Sequence, residues 1–215
     1  TEHITEKILS SCSNLKLVAQ HGVGVDNIDV NAATKNGVMV TNVPDSNFSS
    51  VAEHAMMMML ALSRNILQTD QEVRKGNWDY REQFIPTEIG GKKLLIVGLG
   101  TIGQELARKA NAFNMEVISF DPIVSQESMN VFGVTKVESL EDGLKQADFV
   151  SLHVPLNKHT HHLINEKSLK LMKQTAYLIN LSRGPVVDEL ALYDALKNKV
   201  IQGAALDVME EEPPK

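Results

Sequence analysis

The sequence predicts an α/β fold with a doubly wound parallel sheet of the Rossmann type. The first observation is segment 93–121, where an apolar run, a glycine-rich turn, a run of helix formers and a second apolar run follow one another. The second is that apolar runs and helix formers also alternate on both sides of this segment. Such alternation is typical of parallel strands connected by helices that cover both faces of the sheet.

The segment before the glycine-rich turn is predicted to contain two strands and two helices. In order, these are a strand at 15–20, a helix at about 29–35, a strand at 38–41 and a helix from 51 to about 65. The last helix is predicted from Ser50-x-x-Glu53, which has the spacing of a capping box. Four consecutive methionines, at 56–59, lie inside it. They could form an adaptable binding surface, but we favour a helix that is packed on several sides.

Five strands and three helices are predicted from residue 93 onwards. The strands are at 93–97, 117–120, 149–152, 176–180 and 203–206, and the helices are at 104–110, after Ser139-x-x-Asp142, and at 189–197. Ligands of such sheets bind beyond the carboxyl ends of the strands. Polar side chains follow several of these ends: Asp121, His153, Ser182, Arg183 and Asp207. We expect them to line one cleft.

The turn itself, Gly98-Leu99-Gly100-Thr101-Ile102-Gly103, indicates dinucleotide binding. A glycine-rich turn between a strand and a helix presents backbone N–H groups that can bind a pyrophosphate. Asp121, at the end of the next strand, can accept hydrogen bonds from the ribose hydroxyls of NAD and would repel the 2′-phosphate of NADP. A tight turn without a ligand is the structural alternative.

Composition excludes several other classes. The chain has 215 residues, 43% of them hydrophobic and 22% charged, and a net charge of −6, which gives no reason to expect a nucleic-acid partner. Its longest apolar run, 55–62, is too short for a bilayer, which needs about 20 residues. The polar start lacks a secretory signal, and a single cysteine, Cys12, suits a reducing compartment. We expect a cytoplasmic protein without a membrane partner.

The two ends of the chain indicate a fragment. The chain lacks an initiator Met and stops at Pro213-Pro214-Lys215, so we expect a fragment of a longer protein.

Several motifs in fixed order resemble the D-2-hydroxyacid dehydrogenases, and their phosphoglycerate dehydrogenase branch in particular. The matching segments are 21–29, 50–54, 97–103, 120–122, 152–156, 180–184 and 203–208. The resemblance implies two doubly wound domains, with the cofactor domain inserted into a flavodoxin-like substrate domain. Residues 1–50 would be part of the substrate domain. Residues 51–215 would be the NAD-binding Rossmann domain, incomplete at its C-terminal end.

The resemblance also implies roles for individual residues. Arg183 would bind the substrate carboxylate with its guanidinium fork and polarise the keto oxygen. Glu212 would orient a catalytic histidine that lies outside this chain, and the backbone N–H groups of Val23 and Gly24 would bind the carboxylate from the other domain. Asp207 would hold the nicotinamide carboxamide. The residues expected around the cofactor are Gly98, Gly100, Thr101, Ile102, Gly103, Asp121, Pro122, His153, Val154, Pro155, Thr160, Leu181, Ser182, Arg183 and Asp207.

Three other motifs invite a catalytic or metal-binding interpretation. His153 stands at a strand end, but the resemblance places it in the cofactor pocket and not as the acid/base. The histidines of segment 159–162 have no cysteine or carboxylate cluster beside them, so we expect no metal site. Glu53-His54 has the form of a dyad, but capping of the helix start is sufficient explanation. The acidic run 210–212 alone would be a solvated face.

The resemblance implies an NAD-dependent oxidoreductase that interconverts a 2-hydroxy acid and a 2-oxo acid, with 3-phosphoglycerate of serine synthesis as the first choice of substrate. Many phosphoglycerate dehydrogenases have an arginine just before the Gly22 turn, where this chain has Gln20-His21. Glyoxylate, hydroxypyruvate or another small 2-oxo acid therefore stays open. An NAD-sensing binding module is the non-enzymatic alternative, and Arg183 and Glu212 argue against it. A methyltransferase is a distant third. The resemblance implies a homodimer through the cofactor domain.

Overall fold

The chain divides into two compact units, Thr1–Phe48 and Ser49–Lys215. A computed structural model describes residues 3–44 and 46–214. Thr1, Glu2, Asp45 and Lys215, which fall within the two predicted domains, lie outside the described residues.

The first unit contains two parallel strands and two helices. These are α1 (Glu6–Ser11), β1 (Leu17–Ala19), α2 (Val30–Lys35) and β2 (Met39–Thr41), with Leu17 opposite Met39. Asp29 caps α2, because its side chain accepts a hydrogen bond from the backbone N–H of Ala32 at 2.8 Å. Leu9, Ala32 and Val38 form part of a small buried core. The predicted strands and the predicted helix of this unit are confirmed, with shorter bounds for the strands.

The second unit is built around a six-stranded parallel sheet. Its strands are β3 (Lys93–Val97), β4 (Glu116–Phe120), β5 (Thr135–Lys136), β6 (Phe149–Leu152), β7 (Tyr177–Asn180) and β8 (Gly203–Leu206). Its helices are α3 (Phe48–Arg64), α4 (Ile66–Arg74), α5 (Thr101–Ala112), α6 (Gln126–Asn130), α7 (Leu140–Gln146), α8 (Glu166–Leu171) and α9 (Glu189–Lys197), with 3-10 turns at Trp78–Glu82 and Gly184–Val186.

The strand order is β5-β4-β3-β6-β7-β8, and every pair is parallel. Successive side chains of β3 enter opposite layers: Leu94 and Ile96 pack in one apolar cluster, Leu95 and Val97 in the other. The sheet is therefore covered on both faces, which confirms the predicted doubly wound fold. The strand order reverses between β3 and β6, and in such sheets ligands bind beyond the carboxyl ends at this point.

Most predicted elements of this unit are confirmed, and several bounds agree fully. Strands β3, β6 and β8 and helix α9 have the predicted limits. Ser139 caps α7 as expected, because its Oγ accepts a hydrogen bond from the N–H of Asp142 at 3.1 Å. The capping box at Ser50 is wrong: α3 begins at Phe48, so Ser50 already lies inside the helix.

The methionines of α3 are packed unequally. Met56 and Met59 are buried against the sheet, whereas the Met57 side chain is 48% exposed. The buried residues Ala52, Ala55, Met56 and Met59 lie on one face of α3, with Met58 partly buried beside them. Packing of the helix on several sides is therefore not confirmed, and Met57 lies on the surface. No helix in ranges 3–44 and 46–214 combines the length and apolar character needed to cross a membrane.

Candidate functional site

The turn between β3 and α5 depends on a glycine that packs against the turn after β6. Gly98 has φ of 92°, which favours glycine. A Cβ at this position would lie 2.7 Å from the carbonyl oxygen of His153 and 2.9 Å from Cγ1 of Val154. The glycine therefore allows the turns after β3 and β6 to lie against each other at the switch point of the sheet.

The other two glycines of the motif differ in their surroundings. A Cβ at Gly103 would collide with the carbonyl oxygen of Gly98, so this glycine lets α5 start close to β3. A Cβ at Gly100, the N-cap of α5, would meet no atom within 4 Å. Packing within the protein thus does not require Gly100, and the open space at the start of a 12-residue helix fits a pyrophosphate.

Asp121 follows β4 and is held beside this turn by backbone N–H groups. Its Oδ2 accepts a hydrogen bond from Leu99 at 2.9 Å. Its Oδ1 accepts two more, from Ile123 at 2.8 Å and from Val124 at 3.1 Å. An ionised carboxylate has about four acceptor positions, so capacity remains for a ribose hydroxyl. These contacts fix the orientation of the carboxylate before any cofactor binds.

His153 lies at the end of β6 as a neutral side chain. Burial lowers the pKa of its imidazole to about 4, so the ring carries no charge at pH 7. Its Nε2 shares a hydrogen bond of 2.8 Å with Oγ of Ser151. A neutral, hydrogen-bonded ring can line a cofactor pocket but is a weak proton donor. This geometry supports the interpretation that His153 is not the acid/base.

Asn180 organises the turn after β7 (residues 181–184). Its side chain is buried, and its Oδ1 accepts hydrogen bonds from the backbone N–H and the Oγ of Ser182, at 3.0 and 2.8 Å. Its Nδ2 donates to the carbonyl oxygen of Arg183 at 2.9 Å. Nη1 of Arg183 in turn donates to the carbonyl oxygen of Ser182 at 2.6 Å. Asn180 was not among the predicted site residues, although a polar residue at the end of a buried apolar strand is a signal of a site.

The turn after β8 (residues 207–212) packs tightly against the turn after β7. A Cβ at Gly184 would collide with the carbonyl oxygen of Met209, so this position has room only for glycine. Within the β8 turn, Oε1 of Glu212 accepts a hydrogen bond from the N–H of Met209 at 3.0 Å. The N–H of Asp207 donates to the carbonyl oxygen of Asn180 at 3.0 Å. Arg183, Asp207 and Glu212 therefore lie on two turns that touch.

His54 reaches the same place from α3. Its Nε2 lies 3.5 Å from Oδ1 of Asp207, and the two side chains are 41% and 54% exposed. Because α3 begins at Phe48, His54 is not at the helix start. The explanation of His54 as a capping residue is therefore wrong, and its contact is with the strand-end carboxylate.

The histidine-rich segment is attached to the turn after β8. Nε2 of His162 lies 2.5 Å from Oε1 of Glu210, and its Nδ1 lies 3.9 Å from Oδ2 of Asp188. Oγ1 of Thr160 donates to the carbonyl oxygen of Pro155 at 2.6 Å, which closes the preceding loop. Among residues 3–44 and 46–214, no group of three or more histidines, cysteines or carboxylates could hold a metal ion.

The remaining predicted residues lie in both units. Thr101 and Ile102 are in the first turn of α5, Pro122 and Asp121 follow β4, Val154 and Pro155 follow β6, and Leu181 and Ser182 follow β7. Val23 and Gly24 are in the first unit, between β1 and α2. In the second unit the structure thus gathers the predicted cofactor residues at the carboxyl edge of the sheet.

Comparison with known proteins agrees with this geometry. Among relatives, D-3-phosphoglycerate dehydrogenase of Methanocaldococcus jannaschii is 46% identical over 212 residues, which are 99% of this chain and 40% of that protein. Glyoxylate reductase of Thermococcus litoralis is 45% identical, over 99% of this chain and 66% of that protein. The chain thus spans about two fifths of the phosphoglycerate dehydrogenase that it matches.

Solved structures give the same result. D-lactate dehydrogenase from Aquifex aeolicus, complexed with NAD and lactic acid, has a TM-score of 0.91 and 39% identity, over 97% of this chain and 62% of that one. Residues 56–215 match the family described as D-isomer specific 2-hydroxyacid dehydrogenase, NAD binding domain. The resemblance seen in the motifs is confirmed: the chain belongs to the D-isomer specific 2-hydroxyacid dehydrogenases and contains their NAD-binding domain.

Proposed function

We propose that the protein is an NAD-dependent dehydrogenase that interconverts 3-phosphoglycerate and its 2-oxo acid in serine biosynthesis. The observation that carries this proposal is the contact between the turns after β7 and β8, which places Arg183 and Glu212 on neighbouring segments. A module that only senses NAD needs neither a carboxylate anchor nor a partner for an acid/base. Relatives that are named D-3-phosphoglycerate dehydrogenase support the choice of substrate.

The cofactor would be held by the backbone of the glycine-rich turn and by Asp121. A nicotinamide cofactor supplies the hydride, or accepts it in the reverse direction. The amides at the start of α5 would bind the pyrophosphate, and Asp121 would accept hydrogen bonds from the ribose. Asp207 would accept a hydrogen bond from the carboxamide and so determine which face of the nicotinamide ring meets the substrate. The neutral His153 keeps the pocket free of an extra charge.

Arg183 would bind the substrate carboxylate and polarise its keto oxygen. Its guanidinium is held by a hydrogen bond within the same turn, in which one nitrogen donates to the carbonyl oxygen of Ser182. A planar fork held in this way can form two parallel hydrogen bonds to a carboxylate. The assignment of Glu212 to a histidine outside this chain, and of the Val23 and Gly24 amides to the carboxylate, stays a prediction.

A substrate panel on the full-length protein tests the proposed activity. NADH absorbance is followed with phosphohydroxypyruvate, hydroxypyruvate and glyoxylate in parallel. We expect kcat/KM to be highest for phosphohydroxypyruvate. A preference for glyoxylate or hydroxypyruvate would instead make the protein a small 2-oxo acid reductase, as relatives named glyoxylate reductase allow. NADH binding without turnover of any 2-oxo acid would favour a sensing module.

The preference for NAD over NADP gives a test of Asp121. A 2′-phosphate would meet a carboxylate that three backbone N–H groups hold in place, and Pro122, not an arginine, follows it. We expect Asp121→Ser to lower the affinity for NAD about 10-fold, since hydrogen bonds to charged groups contribute about 1.5–3 kcal/mol. The difference between the affinities for NAD and NADP should become smaller. Calorimetry measures both affinities, with Asp121→Asn as the variant that removes only the charge. Equal affinity of the unchanged protein for NAD and NADP would contradict this role.

We also propose that the protein is a cytoplasmic homodimer that associates through the cofactor domain. An apolar groove on the second unit supports this, because it is lined by Met57, Leu67 and Phe113, which are 48%, 78% and 45% exposed. Lys109 and Glu53, an ion pair of 3.5 Å, border the groove. An exposed apolar patch of this kind is typical of an interface.

Replacement of Leu67 by Glu tests the dimer. A carboxylate buried at the interface would lack a partner, so we expect the full-length protein to shift from dimer to monomer in analytical ultracentrifugation. The matched control is Val131→Glu, on an equally exposed side chain outside the groove. A dimer that is unchanged by Leu67→Glu would place the interface elsewhere.

A further inference from the structure

We propose that His54 is a positioning residue, whose imidazole orients the Asp207 carboxylate toward the nicotinamide carboxamide. Nothing in the sequence motif of a strand-end aspartate requires a histidine on a distant helix. The proposal rests on the contact of 3.5 Å between Nε2 of His54 and Oδ1 of Asp207. It depends on the proposed function, because that function assigns the carboxamide to Asp207.

The backbone of Asp207 belongs to the sheet, whereas its carboxylate extends beyond the sheet. Its N–H donates to the carbonyl oxygen of Asn180 and so continues the β7–β8 ladder by one hydrogen bond. The carboxylate beyond it is half-exposed. Such a side chain can occupy several rotamers in water, and only some of them would direct an oxygen at a carboxamide. The ligand would have to restrict this freedom when it binds.

His54 reduces this freedom because it is attached to a rigid support. The neighbouring Ala52 and Ala55 are fully buried against the sheet, so α3 cannot shift without disturbing the core. An N–H at Nε2 of His54, 3.5 Å from Oδ1 of Asp207, would attract that oxygen and leave Oδ2 for the N–H of the carboxamide. Groups held by the scaffold are better oriented than groups held by solvent-exposed side chains alone.

The size of the effect follows from the exposure of the pair. Exposed ion pairs contribute about 0.2–1 kcal/mol, which corresponds to a change in affinity of at most about 5-fold. Direct loss of a hydrogen bond to a charged group is larger, about 10-fold or more. We therefore expect loss of the His54 imidazole to lower the affinity for NADH about 3-fold. Asp207→Asn should lower it about 10-fold.

Comparison of two ligands separates positioning from structural damage. ADP-ribose carries every part of NADH except the nicotinamide, so it does not report on Asp207. We expect His54→Leu in the full-length protein to lower the affinity for NADH about 3-fold and to leave the affinity for ADP-ribose unchanged. Calorimetry measures both affinities. His54→Gln, which retains an N–H donor, should recover most of the NADH affinity. His3→Leu, on an exposed histidine of the first unit, is the matched control.

A double variant completes the test. If His54 acts through Asp207, the double variant with His54→Leu and Asp207→Asn should have the same affinity for NADH as the variant with Asp207→Asn alone. Equal losses for NADH and ADP-ribose, or additive losses in the double variant, would overturn the positioning role. If the unchanged protein bound neither ligand, the proposed function itself would fail, which is a distinguishable result.

Discussion

Replacement of Arg183 by lysine is expected to lower kcat by about 100-fold or more while NADH affinity changes less than about 2-fold, since a displacement of about 1 Å can cost a factor of 100 in rate. Lysine retains the positive charge but cannot form two parallel hydrogen bonds to a carboxylate. It also loses the contact in which the guanidinium donates to the carbonyl oxygen of Ser182. The bound 2-oxo acid would therefore be misaligned for hydride transfer.

Steady-state kinetics and NADH titration of the full-length protein measure the two effects separately. Arg108→Lys is the matched control, because Arg108 lies on the surface of α5 and forms only a local ion pair of 2.9 Å with Glu105. We expect that control to leave both kcat and NADH affinity near the unchanged values. A lysine variant at position 183 with near-native kcat would show that the carboxylate is bound elsewhere.

The core of the second unit was predictable because its signals are local. In β3, apolar residues occupy consecutive positions, which is typical of a strand buried on both faces. Gly98 then follows the strand with φ of 92°, and Gly103 lets α5 pack close to the strand. Each of these signals lies within about ten residues, so no tertiary contact is needed to recognise them.

The helix α4 shows the opposite case. None of its nine residues is buried, and its large apolar side chains, Ile66, Leu67 and Val73, are all exposed. Packing against the core therefore does not mark this short segment as a helix. It is separated from α3 only by Asn65, a left-handed residue with φ of 49°. The sequence predicted a single helix ending near this residue. Ile66 and Leu67, at the start of this second helix, line the exposed groove and do not pack in the core.

The candidate site likewise has features that the sequence predicts and features that it does not. Strand ends could be located, so Asp121, His153 and Asp207 were predicted at one edge of the sheet. Which turns touch each other could not be predicted, because those contacts join segments that are distant in the chain. The contact of His54 with Asp207 is one example, and it depends on where α3 packs against the sheet.

Replacement of Gly184 by alanine is expected to destabilise the protein and to separate the two turns that carry Arg183 and Glu212. The added Cβ would collide with the carbonyl oxygen of Met209 and lie 2.5 Å from the N–H nitrogen of Glu210. Both are backbone atoms, which cannot rotate away as a side chain can. Forced overpacking typically costs about 1–3 kcal/mol, and we expect about 3 kcal/mol here because the backbone must move.

Thermal unfolding measures this effect, and Gly100→Ala is its matched control. A chain of this size loses about 2–4 °C in Tm per kcal/mol, so we expect Gly184→Ala to lower Tm by about 6–12 °C. At Gly100 the same methyl group meets no protein atom within 4 Å. That variant should retain the native Tm but bind NADH more weakly, because the methyl group occupies the space expected for the pyrophosphate. A native Tm for Gly184→Ala would mean that the turns after β7 and β8 are not in contact, and the geometry proposed for Arg183 and Glu212 would fail with it.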